Sequence, residues 1–427
     1  MTLRVVAFSS MPQATSSRSV KGHQAVTITL LFIAGLVNFL DRSSLSVANS
    51  RIRAEMHLSA TQMGLLLSVF SVAYGLTQLP LAGLLDRAGS RWMMGGALAV
   101  WSAAQVMTGF VRSLQGFLVL RVLLGIGEGP YYPTAVRSIR EWFTYRGRGR
   151  ATSSLNVSST VGLALAPPLL TAIMLQVGWR RMFILLGLAG LAIAVLWVML
   201  HRERSETEYA LPVKDRRPGL AWGLLLRQRS MWGMMIGFGG VNYTNWLYIA
   251  WLPGYLQTAR HLSLQRSGWA AAIPFLAGMC GVICSGLFAD FLAVRRVSGE
   301  TGLIGIHRSF AVVGLTLSAG CTLVVAQATT TTVAIAGVSA ALFFMQFAGT
   351  SGWGLVQAAS PAALIGGVGS MQNFGSFMIA SAAPFITGWL VDRTHSFTAA
   401  LWLCSAVTLA GAMSYLFVVK GPIQERT

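Results

Sequence analysis

Charge is scarce in this 427-residue chain, where Asp, Glu, Lys and Arg together supply 11% of residues. An average soluble domain carries about 25%, so a water-facing globular surface is excluded. Acidic groups are scarcest, 13 against 32 Lys plus Arg. Lysine is nearly absent: Lys21, Lys214 and Lys420 each follow a valine, so the Gly-Lys of a phosphate loop does not exist and ATP cannot be the energy source. The four cysteines, Cys280, Cys284, Cys321 and Cys404, lie in apolar runs, which argues against a disulfide framework or a zinc site. The six histidines, at 23, 57, 201, 261, 307 and 395, fall at span ends or in loops. Hydrolysis at membrane depth therefore lacks its usual base or metal ligands, and no cofactor is expected. The first 24 residues are polar and basic, without an apolar segment ahead of a cleavage site. The first span itself is expected to direct insertion.

Apolar residues are what the chain has, at 54%, with a mean hydropathy of +0.62. Runs of about 20 such residues recur, enough to cross about 30 Å of hydrocarbon as helix. Lipid offers the backbone no hydrogen bonds, so each run must be helical. The pattern predicts an all-α membrane protein of twelve transmembrane helices in two six-helix bundles. The spans fall roughly at 25–47, 61–85, 92–111, 114–136, 152–176, 181–200, 231–256, 267–292, 309–327, 331–354, 361–390 and 397–419. Residues 1–24 form an N-terminal tail, 25–200 one bundle, 201–230 a charged linker, 231–419 the second bundle and 420–427 a C-terminal tail.

The formal charge of +19 sits mostly in short loops between the spans, the signature of membrane topology rather than nucleic-acid binding. Lys and Arg concentrate on the side of the termini and linker, so both termini are expected in the cytoplasm. The two halves also echo each other. "AGLLDRAGSR" closes the second span and "GLFADFLAVRR" the eighth, each with a small residue four positions before Asp86 or Asp290 and basic residues after it. Parallel repeats half a chain apart fit this spacing.

Four ionisable groups remain inside the spans, all in the first half: Asp41 and Arg42 in "NFLDRSSLSVA", and Arg121 and Glu128 in "RVLLGIGEGPYYP". Each costs on the order of 3 kcal/mol at a helix centre, so they must face a cavity or one another. Arg121 and Glu128 are seven apart, two turns along one helix face. An isolated pair is as often structural as functional. Four groups confined to one half favour anion binding and proton handling, with Asp41 and Glu128 the only proton carriers at that depth. An anion on Arg42 alters the proton affinity of its neighbour, which is a physical means of coupling. The glycines of "GIGEG" fit close helix packing better than a dinucleotide loop. In the second half, Asn242, Tyr243, Asn245, Gln346, Thr350, Ser351, Trp353, Gln372 and Asn373 offer neutral polar groups, each more often a helix–helix bond than a ligand contact. Pro253 and Pro384 permit bending.

With these residues in hand, the chain resembles the major facilitator superfamily over roughly residues 25–419, and within it the anion–cation symporters of sugar acids and other organic anions. "LPLAGLLDRAGSRWM" is similar to the superfamily's loop signature, with Asp86, Arg87, Gly89 and Arg91 at its key positions and Ala82 where a glycine is usual. That loop braces the two halves in the outward-facing state. The resemblance implies that Arg42 binds the substrate carboxylate and that Tyr74 contacts substrate. It implies that Asp41 and Glu128 take and release protons, with Arg121 tuning Glu128, and that Thr350, Trp353 and Asn373 touch substrate from the second half. Two departures stand out: Phe39 replaces a frequent Tyr, and "TAVRS" replaces an Asn-rich run. Both widen the candidate substrates from sugar acids to smaller, aromatic or sulfonated carboxylates.

The expected function is a proton-coupled symporter that imports a small organic anion by alternating access, as a monomer in a bacterial inner membrane, with no nucleic-acid partner. A drug or metabolite exporter of the same fold is the nearest rival. "SSTVGLALAPPLL" lacks the glycine pair of such antiporters. A membrane-embedded enzyme is more remote.

Overall fold

The structure is a computed structural model that describes residues 17–77, 81–143, 145–203, 223–296, 300–361 and 364–424. Among the described residues, thirteen helices of at least 12 residues run in order: α1 (Ser17–Met56), α2 (Ala60–Thr77), α3 (Leu81–Thr108), α4 (Leu114–Glu128), α5 (Tyr131–Trp142), α6 (Tyr145–Leu200), α7 (Arg229–Thr258), α8 (Leu264–Arg296), α9 (Glu300–Gln327), α10 (Thr331–Ala359), α11 (Ile365–Ala380), α12 (Ala382–Thr394) and α13 (Thr398–Phe417). Most of the 201–230 linker, at 204–222, and the tail residues 1–16 and 425–427 lie outside the described residues.

Glycine and proline account for the differences between helices and expected spans. Gly178, at φ 82°, breaks α6 into two spans, and Gly89, at φ 71°, turns the chain inside α3. Only glycine takes such angles without steric cost. Pro130 separates α4 from α5, and Ser381 stands between α11 and α12 just before Pro384. The expected fourth and eleventh spans are thus each an interrupted helix. The first helix starts at Ser17 rather than 25, continuing into the polar "SRSVKGHQ" because helix need not stop where hydrocarbon does.

One face of the molecule carries the short turns after α1, α3, α7, α9 and α12; we call it the hairpin face. The opposite, linker face carries residues 201–203 and 223–228. His57, His261 and His395, all near φ 52°, occupy left-handed positions in three hairpin-face turns.

Side-chain exposure separates outer from central helices. Val100, Met107, Leu188, Val195, Met199, Val313, Leu317, Val324, Trp402 and Leu409 are exposed on α3, α6, α9 and α13, the apolar girdle that lipid covers. α7 is the opposite case, buried on nearly every side, and so it tolerates Asn242, Tyr243, Thr244 and Asn245 in sequence. Small residues bring helices close. A methyl group on Gly125 would stand 2.6 Å from the Phe70 carbonyl oxygen, and one on Gly127 would stand 2.7 Å from the Trp101 nitrogen. The "GIGEG" glycines of α4 therefore serve packing against α2 and α3.

The halves meet along α1–α7, α2–α11/α12 and α6–α8. Hydrogen bonds across this seam lie between mid-depth and the hairpin face: Ser46 Oγ to the Ala250 carbonyl (2.8 Å), Ser50 Oγ to Gln257 Oε1 (2.6 Å) and Phe385 N to Ser68 Oγ (2.9 Å). At its outer end the Asp392 carboxylate of α12 accepts from Ala60 N (2.9 Å), Thr61 N (2.7 Å) and Thr61 Oγ1 (2.5 Å). A carboxylate from one half thus caps the first turn of a helix in the other, where free N–H groups and the helix dipole favour negative charge. The hairpin face is shut.

On the linker face a buried polar network ties the first half together. Ser90 Oγ donates to Glu141 Oε2 (2.7 Å) and lies 3.2 Å from His201 Nε2, while Thr27 Oγ1 meets His201 Nδ1 at 3.2 Å. Burial, then the nearby Arg91 and His23 charges, push the His201 imidazole down to about 4. It is neutral at physiological pH.

Candidate functional site

Asp41 and Arg42 sit past the middle of α1, and Glu128 ends α4 one residue before the Gly129–Pro130 break. α1 and α4 run antiparallel, which sets Arg42 level with Glu128. The Arg42 Nε donates to Glu128 Oε2 at 2.6 Å, with the Glu128 side chain at 0% exposure and that of Arg42 at 9%. Arg42 is the direct partner of Glu128, while Arg121, expected to tune Glu128, lies two turns nearer the hairpin face on the same helix. Arg121 interacts electrostatically with both Glu128 and Asp41, but its Nε and Nη2 have no hydrogen-bond partner. Asp41 is fully buried with both carboxylate oxygens unpartnered. Two guanidinium groups and two carboxyls thus share one enclosed region, neutral in sum and incompletely bonded.

Three aromatic rings frame Arg42. Its Cζ lies 4.5 Å from the Tyr74 ring centre, 5.1 Å from Phe39 and 5.6 Å from Phe70. Each such contact is worth about 0.5–2 kcal/mol, more when desolvated, and together the rings hold the guanidinium plane. The Tyr74 ring in turn packs at 5.2 Å on Phe377 of α11, so Tyr74 stands between the ionic cluster and the second half. Phe39, where a hydroxyl was missed from the sequence, is part of this frame.

The remaining predicted residues are placed less closely. Trp353 is 42% exposed near the linker-face end of α10 and meets Phe238 edge-on at 5.7 Å. The Thr350 hydroxyl bonds back to the Gln346 carbonyl (3.0 Å), and Asn373 lies one turn from Phe377 towards the linker face. Asn242 Nδ2 donates to Ser376 Oγ (2.8 Å) and Ser285 meets Ser351 (3.0 Å), both helix–helix bonds. Tyr243 is buried, and Asn245 and Gln346 line a void of about 10 Å³ with Thr160. Gln372, fully buried, has neither amide atom bonded. In the loop signature, Arg91 is bound within the first half, N to Glu203 Oε1 (2.9 Å) and Nε to the Val198 carbonyl (2.8 Å). Arg87 is exposed, Gly89 makes the turn, and the Asp86 side chain lies outside what is described.

Three residues escaped the sequence reading. Asn38 is 1% exposed with both amide atoms unpartnered, Trp101 is a fully buried indole in electrostatic contact with Asp41, and Gln105 Nε2 donates to Ser44 Oγ (3.0 Å). Asn38 had a signal, since it precedes Arg42 by one helical turn. Gln105 and Trp101 come from α3, and their meeting with α1 is a matter of packing alone.

Comparison with known proteins gives the family and the fold. The sequence matches the Major Facilitator Superfamily over residues 31–382. It is 48% identical over 421 residues to a probable L-galactonate transporter of Escherichia coli strain K12, covering 96% of this chain and 92% of that protein. It is 30% identical over 416 residues to a D-galactonate transporter of Escherichia coli O6:H1 strain CFT073, covering 92% and 95%. Among solved structures, a bacterial homologue of the human lysosomal transporter Spinster, inward-facing and unoccupied, superposes with a TM-score of 0.74 at 18% identity, covering 93% of this chain and 95% of that one. The chain is a multi-pass membrane transporter, not an enzyme, and it belongs to the Major Facilitator Superfamily.

Proposed function

We propose that this protein imports a sugar acid together with protons, by rocking its two halves about the substrate. The observation that carries this reading is the 2.6 Å pair between Arg42 and Glu128, inside an aromatic frame and next to a second, unbonded carboxyl. Glu128 and a substrate carboxylate are rivals for one guanidinium. A proton on Glu128 cancels its charge and frees Arg42 for the substrate. Loss of that proton returns Glu128 to Arg42 and expels the anion. Solute and proton are then bound together or not at all, which is symport.

Asp41 supplies a second protonation site, and Arg121 keeps the cluster from becoming a net anion when the substrate arrives. Tyr74 offers its ring and hydroxyl to the substrate, while Thr350, Trp353, Asn373 and Gln372 provide the neutral contacts of the second half. The relatives named for galactonate support a polyhydroxylated monocarboxylate over aromatic or sulfonated acids. Seam contacts at the hairpin face support an inward-facing reading, with the linker face cytoplasmic in keeping with the excess of Lys and Arg there. The loop at Asp86, Arg87, Gly89 and Arg91 takes up its bracing role in the opposite state. Each monomer carries its own pathway in the bacterial inner membrane.

The test is uptake of labelled L- and D-galactonate into proteoliposomes under an imposed inward proton gradient. Wild type accumulates one or both, and collapse of the gradient stops accumulation. Arg42→Ala lowers uptake at least about 100-fold, since it deletes a charge-assisted contact and strands Glu128. Uptake that survives Arg42→Ala refutes the assignment.

A further inference from the structure

A guanidinium only donates hydrogen bonds, and a protonated carboxyl has one donor of its own to place. When Glu128 takes up a proton, Arg42 therefore cannot satisfy it, and a buried O–H without an acceptor is costly. Glu128 Oε2 holds Arg42 in the present arrangement, while Oε1 is buried without a partner. The acid form needs a second neighbour.

Asn38 stands where such a neighbour is required. Leu31, Asn38 and Arg42 follow one another at seven and four residues, so they share one side of α1. Both ends of that side meet the α4–α5 junction. The Tyr131 hydroxyl of α5 donates to the Leu31 carbonyl (3.0 Å), and Arg42 Nε reaches Glu128 of α4 (2.6 Å). Gly35 gives the Tyr131 side chain its room, since a methyl group there would stand 2.5 Å from the hydroxyl oxygen. Asn38 is thus held between the two contacts, opposite residues 128–131. It is 1% exposed, with both amide atoms unbonded. Trp101 closes the pocket from α3: its backbone lies against Gly127, and its ring meets Tyr131 edge-on at 6.2 Å.

We propose that Asn38 is the positioning residue for protonated Glu128, the group that receives this side chain when substrate takes Arg42. An amide and a neutral carboxyl are complementary: the acid O–H donates to Asn38 Oδ1, and Nδ2–H donates to the acid's carbonyl oxygen. A carboxylate accepts only, so it can use Nδ2 alone, and Arg42 holds it better. Asn38 therefore favours one protonation state, which a purely packing residue does not. The inference rests on the reading in which Glu128 and the substrate compete for Arg42, and it names where Glu128 goes. The proton comes from water and returns to it; only the O–H bond of Glu128 forms and breaks. The charged or titratable groups around Glu128 are Asp41 and Arg42 on α1, Tyr74 on α2, Arg121 on α4 and Tyr131 on α5. Asp41 is the chief rival acceptor. It shares a side of α1 with Ser44, one turn on, and Ser44 meets Gln105 of α3.

Equilibrium binding of labelled L- or D-galactonate to purified protein, from about pH 5 to about pH 8, tests this. Wild-type Kd rises with pH as Glu128 loses its proton. Asn38→Leu should bind like wild type at the acid end and roughly fivefold more weakly at the alkaline end, the worth of one hydrogen bond. The whole curve then moves about 0.7 pH unit toward acid, the logarithm of that factor. Asn38→Gln, which keeps the amide, should lie nearer wild type. In a Glu128→Gln background no proton remains to be held, and Asn38→Leu should change Kd by less than about twofold. An equal weakening at every pH, or in that background, means that Asn38 touches substrate or only packs, and overturns the proposal. So does an unmoved curve, which passes the proton to Asp41. One readout needs no variant to fold. In wild type carrying isotope-labelled glutamate, galactonate should bring up an acid C=O infrared band at the low frequency of a doubly hydrogen-bonded carboxyl. A band at the position of an isolated acid overturns the proposal. If Arg42→Ala loses binding while Asn38→Leu keeps the wild-type curve, this inference fails and the function stands. If wild type binds neither galactonate, or binds it independently of pH, both fall.

Discussion

The two halves share a fold and divide the chemistry unequally. Every ionisable group placed at depth, Asp41, Arg42, Arg121 and Glu128, belongs to the first half, crossed by Gln105 and Trp101 from α3. The facing helices of the second half, α7, α10 and α11, bring amides, hydroxyls and rings, and most of those bond to one another. Desolvation explains the asymmetry. Charges in a low-dielectric interior must neutralise one another, so they gather in one place, whereas neutral groups can be spread along a wall. The first half therefore suits energy coupling, and the second suits recognition of the uncharged part of the substrate.

Substitutions at matched depth put that division at risk. Asp41→Asn should have the largest effect, cutting proton-driven accumulation at least about tenfold while exchange of external for internal substrate persists. Equal loss of accumulation and exchange would make Asp41 a structural group and remove the division. In the second half, Gln372→Leu should shift KM by roughly two- to tenfold, the worth of about 1 kcal/mol for a hydrogen bond, with accumulation per unit gradient unchanged. A change of coupling there would mean that energy transfer spreads over both halves.

Across the seam, Asp392→Asn removes a carboxylate from the first turn of α2 and should shift the resting equilibrium several-fold toward an open hairpin face, a change of about 1 kcal/mol. Distances between spin labels at Ala54 and Ala259, both exposed beside the seam, report it. The smallest effect concerns the linker face. The His201 imidazole, held down to about 4 by burial, takes up its proton more readily in the unfolded chain. Stability from this group is complete above about 6.5 and declines as pH falls toward 4. Burial pushes the neighbouring Glu141 carboxyl up, and it contributes in the opposite sense. Thermal midpoints of purified protein should thus fall less steeply over this interval in His201→Gln than in wild type.

Much of this was legible before any coordinates. Length and polarity of the runs prescribe the spans, because lipid accepts only closed hydrogen-bonded backbone; Gly89 and Gly178 turn the chain between expected spans, and only Pro130 and Ser381 interrupt spans that were expected whole. The ionic residues stood out for the same reason, since each is costly at depth. Their pairing was not legible: spacing along α4 puts Arg121 and Glu128 on one helix face, and only the packing of α1 against α4 brings Arg42 to Glu128. Asp392 at the end of α12 reads as a loop charge, and its bonds to Ala60 and Thr61 join residues more than 300 positions apart.

By itself, then, the order of residues determined that this chain crosses a membrane as two helical bundles and that four charges lie at depth in the first of them. Hydropathy and helical period act locally, within one span, and can be read along the chain. Which guanidinium meets which carboxyl, which rings frame Arg42 and which face of the molecule is shut were decided only by the tertiary structure. Those depend on the rotation and depth of helices far apart in sequence, and no local pattern records either.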